Sequence, residues 1–294
     1  MRFFALELDN DIKGLDIRKK YIEQLLAKLE DPELVVLPEL ALCSYMASQE
    51  IWKYADDRGK DTAAWAVAMA RKYDTYIAVG YLDREDGDYY NRYMIAGKDG
   101  VCGVVSKSEG ESAVFKRGDF GSIIETPFGK VGVGICFDSR RKHFYDNVKN
   151  ETLSLILFPH GCPADPAKPE KEHQENDKRC MIYVDAFGIP VVYVNSIGSL
   201  EYMPGKMGKM MEKAGFRMNG MSRIYAPGSK TISGQIPEIV AAEVELRPGS
   251  RVKDIRFYDG NILPGNWLFK QFILKPDTVA GIKLYEAGIS RDRG

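Results

Sequence analysis

The stretch SIIETPFGKVGVGICFDSRRKHFYD, residues 122–146, decides the fold. SIIET (122–126) and VGVGIC (131–136) are short apolar runs, and the turn PFGK joins them as a hairpin. The residues that follow, 139–150, read as a helix. A hairpin that feeds a helix excludes a purely parallel, doubly wound sheet, whose strands need crossover connections.

The same alternation extends outward on both sides. Upstream, FFALEL (3–8), ELVVL (33–37) and TYIAVGY (75–81) read as strands, the second stopped by Pro38. YYNRYMIAG (89–97) and GVCGVVS (100–106) flank the turn KDG and form another hairpin, with REDGD (84–88) as a charged turn before them. Residues 15–30 place Ile22, Leu25, Leu26 and Leu29 on one helical face, and 62–73 do the same with Trp65, Met69 and Tyr73. Downstream, LSLILF (153–158) closes at Pro159, a helix spans 170–187 up to Gly188, and IPVVYVN (189–195), RIYAPG and EIVAAEVEL (238–246) are further strands. Residues 198–220 read as a Gly/Met/Lys-rich loop, within which 203–213 (MPGKMGKMMEK) is either a lid over the pocket or a solvated loop with Met packing at an interface. Residues 248–294 have weak periodicity and read as a tail packed on the body or on a partner chain. With no repeat, low-complexity tract or composition break, 1–294 is expected to be a single domain of mixed sheets with outer helices.

Composition narrows the function classes. The 294 residues are 45% hydrophobic, so a full core can form. Basic residues number 41 and acidic 42, which argues against a nucleic-acid footprint or a polybasic membrane anchor. No apolar run approaches the roughly 18 residues of a membrane span, and MRFFALELDN lacks signal-peptide features. Cys43, Cys102, Cys136, Cys162 and Cys180 are odd in number, far apart and include no C-x-x-C. A disulfide framework or structural zinc is therefore not expected, and a reducing, cytoplasmic compartment is. With three histidines, no metal and no cofactor is expected.

Three residues stand where chemistry is done. Cys136 ends a strand before a helix, so its thiol projects from the sheet end beside backbone N–H groups that favour thiolate. Taken alone, such a cysteine is more often an inert buried hydrophobe. Glu39, in VVLPELALCSY, follows a strand and a proline, where partial burial would suit it to shuttle protons. Lys107, in VVSKSEGE, follows another strand and could neutralise an oxyanion. Glu111, four residues on, could hold Lys107 and orient an amine or water.

In this order the blocks resemble the nitrilase superfamily of carbon–nitrogen hydrolases. The matching segments are VVLPELALCSY, YYNRYMIAGKDGVCGVVSK, GESAVFKRGD, ETPFGKVGVGICFDSR, LILFPHG, GIPVVYVNSIG and SRIYAPGSK, from the first strand to about residue 246. The resemblance implies a four-layer α-β-β-α sandwich of two mixed sheets, working as a homodimer or larger homo-oligomer on a small-molecule substrate. It places the catalytic Glu on Glu39, the Lys on Lys107, the Cys on Cys136 and a second Glu on Glu111. Tyr45 would line the pocket, and Asp138 and Arg140 would be structural ion-pair partners. The sequence departs from the family pattern at Val105-Ser106-Lys107-Ser108-Glu109, at Lys142-His143 where Pro-Glu is usual, and at HGCPADP after LILFP.

The implied reaction is hydrolysis of a non-peptide carbon–nitrogen bond, in a small amide or N-carbamoyl compound. Glu39 takes the thiol proton as Cys136 attacks, Lys107 and the backbone N–H of Phe137 hold the oxyanion, ammonia leaves, and water resolves the thioester. Nitrile hydrolysis, acyl transfer and a non-catalytic oligomeric scaffold are the alternatives. A Cys–His hydrolase is the nearest rival: His143 would lie two helical turns from the sulfur, whereas His160 approaches from its own strand end and could contact substrate.

Overall fold

The computed structural model describes residues 1–118, 121–228, the backbone of 232–233, and 238–292. Asp119 of GESAVFKRGD, Ser229 and Lys230 of SRIYAPGSK, and the last two residues of the tail lie outside the described residues.

The first part of the chain runs β1 (Arg2–Leu6), α1 (Leu15–Leu26), β2 (Leu34–Val36), α2 (Lys60–Tyr73), β3 (Tyr76–Glu85), β4 (Asp88–Gly97) and β5 (Gly100–Ser106). It continues β6 (Ile123–Thr126), β7 (Gly129–Val133), α3 (Lys142–Val148), β8 (Leu155–Pro159), α4 (Pro169–Phe187) and β9 (Val191–Val194). The last part holds α5 (Gly205–Lys213), β10 (Arg223–Tyr225), β11 (Ile239–Glu243) and α6 (Lys275–Asp292), with shorter pieces between.

One sheet has the order β11-β1-β2-β3-β4-β5, with the short strand Asp56–Asp57 beside β3. Strands β1, β2 and β3 are parallel, and β4, β5 and β11 add antiparallel neighbours. The other sheet has the order Ile232–Ser233, β10, β9, β8, β7, β6. There β7, β8 and β9 are parallel, and β6 and β10 are antiparallel additions. Both sheets are mixed, as the two hairpins require.

The period-2 alternation of each strand builds the layers. Phe3 and Ala5 of β1 face Leu155 and Leu157 of β8 in a core shared by the two sheets. Phe4 and Leu6 point the other way, onto Ile22, Leu25 and Leu26 of α1 and Trp65, Ala66 and Ala70 of α2. Ile156 and Phe158 of β8 point outward onto Phe144 and Val148 of α3 and Tyr183, Val184 and Phe187 of α4. The result is the four-layer α-β-β-α sandwich. α4 opens with Pro169 in its first turn and ends at Gly188, whose φ of +66° supplies the left-handed residue that stops a helix.

Two segments differ from the sequence reading. Residues 198–220 are not a loop: they hold the strand Ile197–Ser199, helix α5, and the strand Arg217–Asn219. The first turn of α5 is capped from far along the chain, Met207 N–H donating to Asp277 Oδ2 at 2.7 Å. Local sequence carries no trace of such a cap. The tail ends in α6, which packs on the body. The Tyr285 hydroxyl donates to Asp88 Oδ1 at 3.0 Å and accepts from the Tyr89 N–H at 2.9 Å. Its periodicity is weak because the buried stripe, Gly281, Tyr285, Gly288 and Ile289, is half glycine, while Val279, Ile282 and Leu284 are exposed. Each of those glycines lets the helix approach closely: a Cβ on Gly281 would lie 2.2 Å from Ser112 Oγ.

Candidate active site

Strands β2, β5 and β7 deliver the site residues from their carboxyl ends. Glu39 comes three residues after β2, Lys107 directly after β5, and Cys136 three residues after β7. Glu39 and Lys107 are almost fully buried, and Cys136 is 8% exposed.

Lys107 Nζ donates to Glu39 Oε1 at 2.6 Å and to Glu111 at 2.8 and 3.2 Å. An ammonium has three donors. One goes to Glu39 and one is shared between the two Glu111 oxygens, which leaves the third for a substrate oxygen. Glu39 Oε1 also accepts from Asn91 Nδ2 at 2.7 Å, and Oε2 accepts from the Gly161 N–H at 2.8 Å. Gly161 follows β8, so the carboxylate of one sheet is held by the backbone of the other. A Cβ at Gly161 would meet the Tyr45 ring at 2.7 Å and Glu39 Oε2 at 3.1 Å. The Tyr45 hydroxyl donates to Glu111 Oε1 at 2.7 Å.

Two carboxylates thus share one ammonium, and their environments push them apart. Burial raises the Glu39 pKa more than Lys107 lowers it. For Glu111 burial also pushes upward, but the Lys107 charge and the hydrogen bonds from Lys107 and Tyr45 outweigh it and hold the carboxylate below its usual range. Burial opposes the Lys107 charge, yet Glu111 and Glu39 raise it well above the ordinary lysine value. Such separation suits one carboxylate to proton exchange and the other to a fixed charge.

Cys136 has φ +49°, the left-handed region that costs a side-chain-bearing residue about 1–2 kcal/mol. It opens the 3-10 turn Cys136–Arg140, not the continuous helix over 139–150 that periodicity suggests; the chain extends at Arg141 before α3 begins. The N–H of Phe137 lies in the first turn, where backbone donors lack intrahelical partners. The neighbouring Cys162 thiol, burial and the Glu39 charge push the Cys136 pKa well above the usual thiol range, a direction that calls for a base beside the sulfur.

Asp138 ties the cysteine turn to the lysine loop by accepting the N–H groups of Ser108 at 2.9 Å and Glu109 at 2.8 Å. Arg140 pairs with Glu172 at 3.3 Å. His143 bridges Glu109 and Asp138, at 3.4 and 3.3 Å.

His160 is fully buried, and both ring nitrogens are engaged. Nδ1 lies 2.9 Å from the Phe158 carbonyl, which can only accept, so the ring proton sits on Nδ1. Nε2 then accepts from Arg179 Nη1 at 3.1 Å. Burial and the neighbouring Arg179 charge push the His160 pKa well below the ordinary value. The ring lies beside the cysteine turn, its Nε2 3.4 Å from Ser139 Oγ.

Asn91, Gly161, Asp138 as an acceptor of backbone donors, and Cys162 complete the site without having been singled out for those places. Asn91 had a readable signal, an amide amid the aromatic residues of YYNRY. Gly161 acts through a contact between the sheets and Cys162 through neighbours from other strands of its own sheet, and neither carries one. Among the described residues no group of three or more His, Cys, Asp or Glu could hold a metal ion. Also among them, no helix is long and apolar enough to cross a membrane.

Comparison with known proteins bears on the family and the fold. The omega-amidase NIT2-B of Xenopus laevis is 27% identical over 141 residues, 43% of this chain and 51% of that protein. The citrullinase of Francisella tularensis is 23% identical over 186 residues, 58% of this chain and 65% of that protein. The chain thus spans about half to two-thirds of the length of these relatives. The crystal structure of a carbon–nitrogen hydrolase from Helicobacter pylori G27 has the same fold, with a TM-score of 0.66 at 22% identity over 83% of this chain and 88% of that one. A family model described as carbon-nitrogen hydrolase matches residues 11–246. The chain belongs to the carbon–nitrogen hydrolase family.

Proposed function

We propose that this protein hydrolyses a small non-peptide amide or N-carbamoyl compound through a thioester on Cys136. The observation that carries the reading is the buried Glu39–Lys107 pair at 2.6 Å, beside the Cys136 turn that Asp138 ties to the lysine loop. Glu39 takes the thiol proton as sulfur adds to the carbonyl carbon. Lys107, through its third donor, and the Phe137 N–H hold the oxyanion, each such donor contributing about two to three orders of magnitude in rate. Glu39 passes its proton to the leaving nitrogen, the carbon–nitrogen bond breaks, and ammonia departs. Water, activated by Glu39, cleaves the thioester and releases the acid. Glu111 keeps Lys107 charged, and Tyr45 keeps Glu111 in place.

The names omega-amidase and citrullinase, borne by the two relatives, support an amide or a ureido group as the target. The Cys–His alternative is disfavoured because the His160 Nε2 lone pair is already occupied by Arg179. The test is a panel of amides, ureido acids and nitriles. Amides should yield ammonia alone, ureido compounds ammonia with carbon dioxide, and both activities should vanish in Cys136→Ala and Glu39→Gln. Full turnover by Cys136→Ala would refute the mechanism.

A further inference from the structure

One peptide unit joins Cys136 to Phe137, and it carries two polar groups. Its N–H is the oxyanion donor of the proposed reaction, on which this inference rests. Its C=O accepts the Ser139 hydroxyl at 2.6 Å. Ser139 Oγ in turn accepts from Arg179 Nη1 at 3.3 Å and lies 3.4 Å from His160 Nε2.

The proton directions in this cluster are forced. A guanidinium only donates and a carbonyl only accepts. His160 carries its proton on Nδ1, facing the Phe158 carbonyl, so Nε2 has no proton to give. The single Ser139 proton must then go to the Cys136 carbonyl. Donation runs one way, from Arg179 through Ser139 to the peptide behind the nucleophile.

Arg179 is costly to keep there. It is 1% exposed, and among the described residues no carboxylate lies within ion-pair distance of it. Nη2 donates to Asn176 Oδ1 at 2.5 Å, and Nε has no partner among the described residues. Removing a charge from water without a counter-ion costs several kcal/mol. Packing alone gives no reason to hold a cation behind the cysteine turn, whereas a reaction that builds negative charge on the far side of the same peptide does.

We propose that Ser139 and Arg179 are positioning residues for the oxyanion. They lock the Cys136–Phe137 peptide in its left-handed turn and polarise it, which aims and strengthens the Phe137 N–H. A donor on the C=O of a peptide strengthens its N–H, by about 10–30% per bond in a hydrogen-bonded chain. Fixing the direction of the N–H adds to this, because oxyanion donors act by preorganisation.

Two reactions at the same sulfur test the proposal on the full chain. p-Nitrophenyl acetate acylates a thiol through an oxyanion: the S–C bond forms, p-nitrophenolate leaves, and the thiol proton passes to Glu39. Iodoacetamide alkylates by displacing iodide from a saturated carbon and builds no oxyanion. Stopped-flow burst rates report the first, and peptide mapping of alkylated Cys136 the second.

Ser139→Ala should slow the acylation burst by about tenfold to a hundredfold, part of the loss seen when an entire oxyanion donor is removed. The half-saturating ester concentration and the alkylation rate should stay at wild-type values. Arg179→Lys, which keeps the charge but not the fork whose Nη1 reaches Ser139 and His160 and whose Nη2 reaches Asn176, should fall between, and Ser139→Thr should restore the burst. Unchanged acylation in Ser139→Ala and Arg179→Lys would overturn the proposal. So would equal losses of acylation and alkylation, which would mean that the network merely places the sulfur. A wild-type chain without any burst would instead refute the hydrolase reading, and this inference with it.

Discussion

Replacing His143 with Gln should remove a clamp whose strength depends on pH. The imidazole sits between Glu109 and Asp138, and Asp138 holds the backbone of the loop that carries Lys107. Burial alone would lower the His143 pKa, but hydrogen bonds and charge from Asp138 and Glu109 outweigh it and raise it from 6.5 to about 9. A raised folded-state pKa means that stabilisation is full below about pH 6.5 and is lost as pH climbs through about 9. At about 1.4 kcal/mol per tenfold, wild type should exceed His143→Gln by about 3 kcal/mol at pH 6, and the pH-dependent part of that gap should fall well below ~1 kcal/mol by pH 9.5. The side chain is 17% exposed, so solvent screening is modest. Arg141 also pairs with Glu109, 3.0 Å away through Nε, in both proteins. Urea unfolding of both proteins at pH 6, 7.5 and 9.5, at constant ionic strength, measures the gap. A gap that stays constant or widens with rising pH would refute the reasoning.

Gly110 lies against the lysine: a Cβ there would fall 2.7 Å from Lys107 Cε and 2.8 Å from Nζ, at a φ of +150°. Gly110→Ala should therefore lower kcat, by up to about a hundredfold if the ammonium moves by an ångström, while Cys136 remains open to alkylation; steady-state kinetics beside peptide mapping checks both. Leu157 is fully buried between the sheets, and Leu157→Ala should destabilise the fold by about 2–5 kcal/mol in urea titrations.

Much of this molecule can be read from local sequence because its main devices are local. The strand–turn–strand pattern of 122–136 and the helical face of Ile22, Leu25 and Leu26 depend on neighbours in the chain, and the described structure carries both. Glu39, Lys107 and Cys136 stand out because each follows a strand. What escapes is whatever one part of the chain does for another. α5 is capped by an aspartate 70 residues away, and α6 hides its register behind glycines. His160, in a strand-end position that invites a catalytic reading, spends both nitrogens on Phe158 and Arg179. Nothing in PHGC announces that a guanidinium 19 residues on will take its lone pair.

The carboxylate of Glu39 hangs from one sheet and is gripped by the Gly161 N–H of the other. Turnover is consequently a gauge of how firmly the two halves of the sandwich are pressed together. Under mild denaturant, catalysis should fail as soon as the halves part, while the circular dichroism of the strands and helices still looks native.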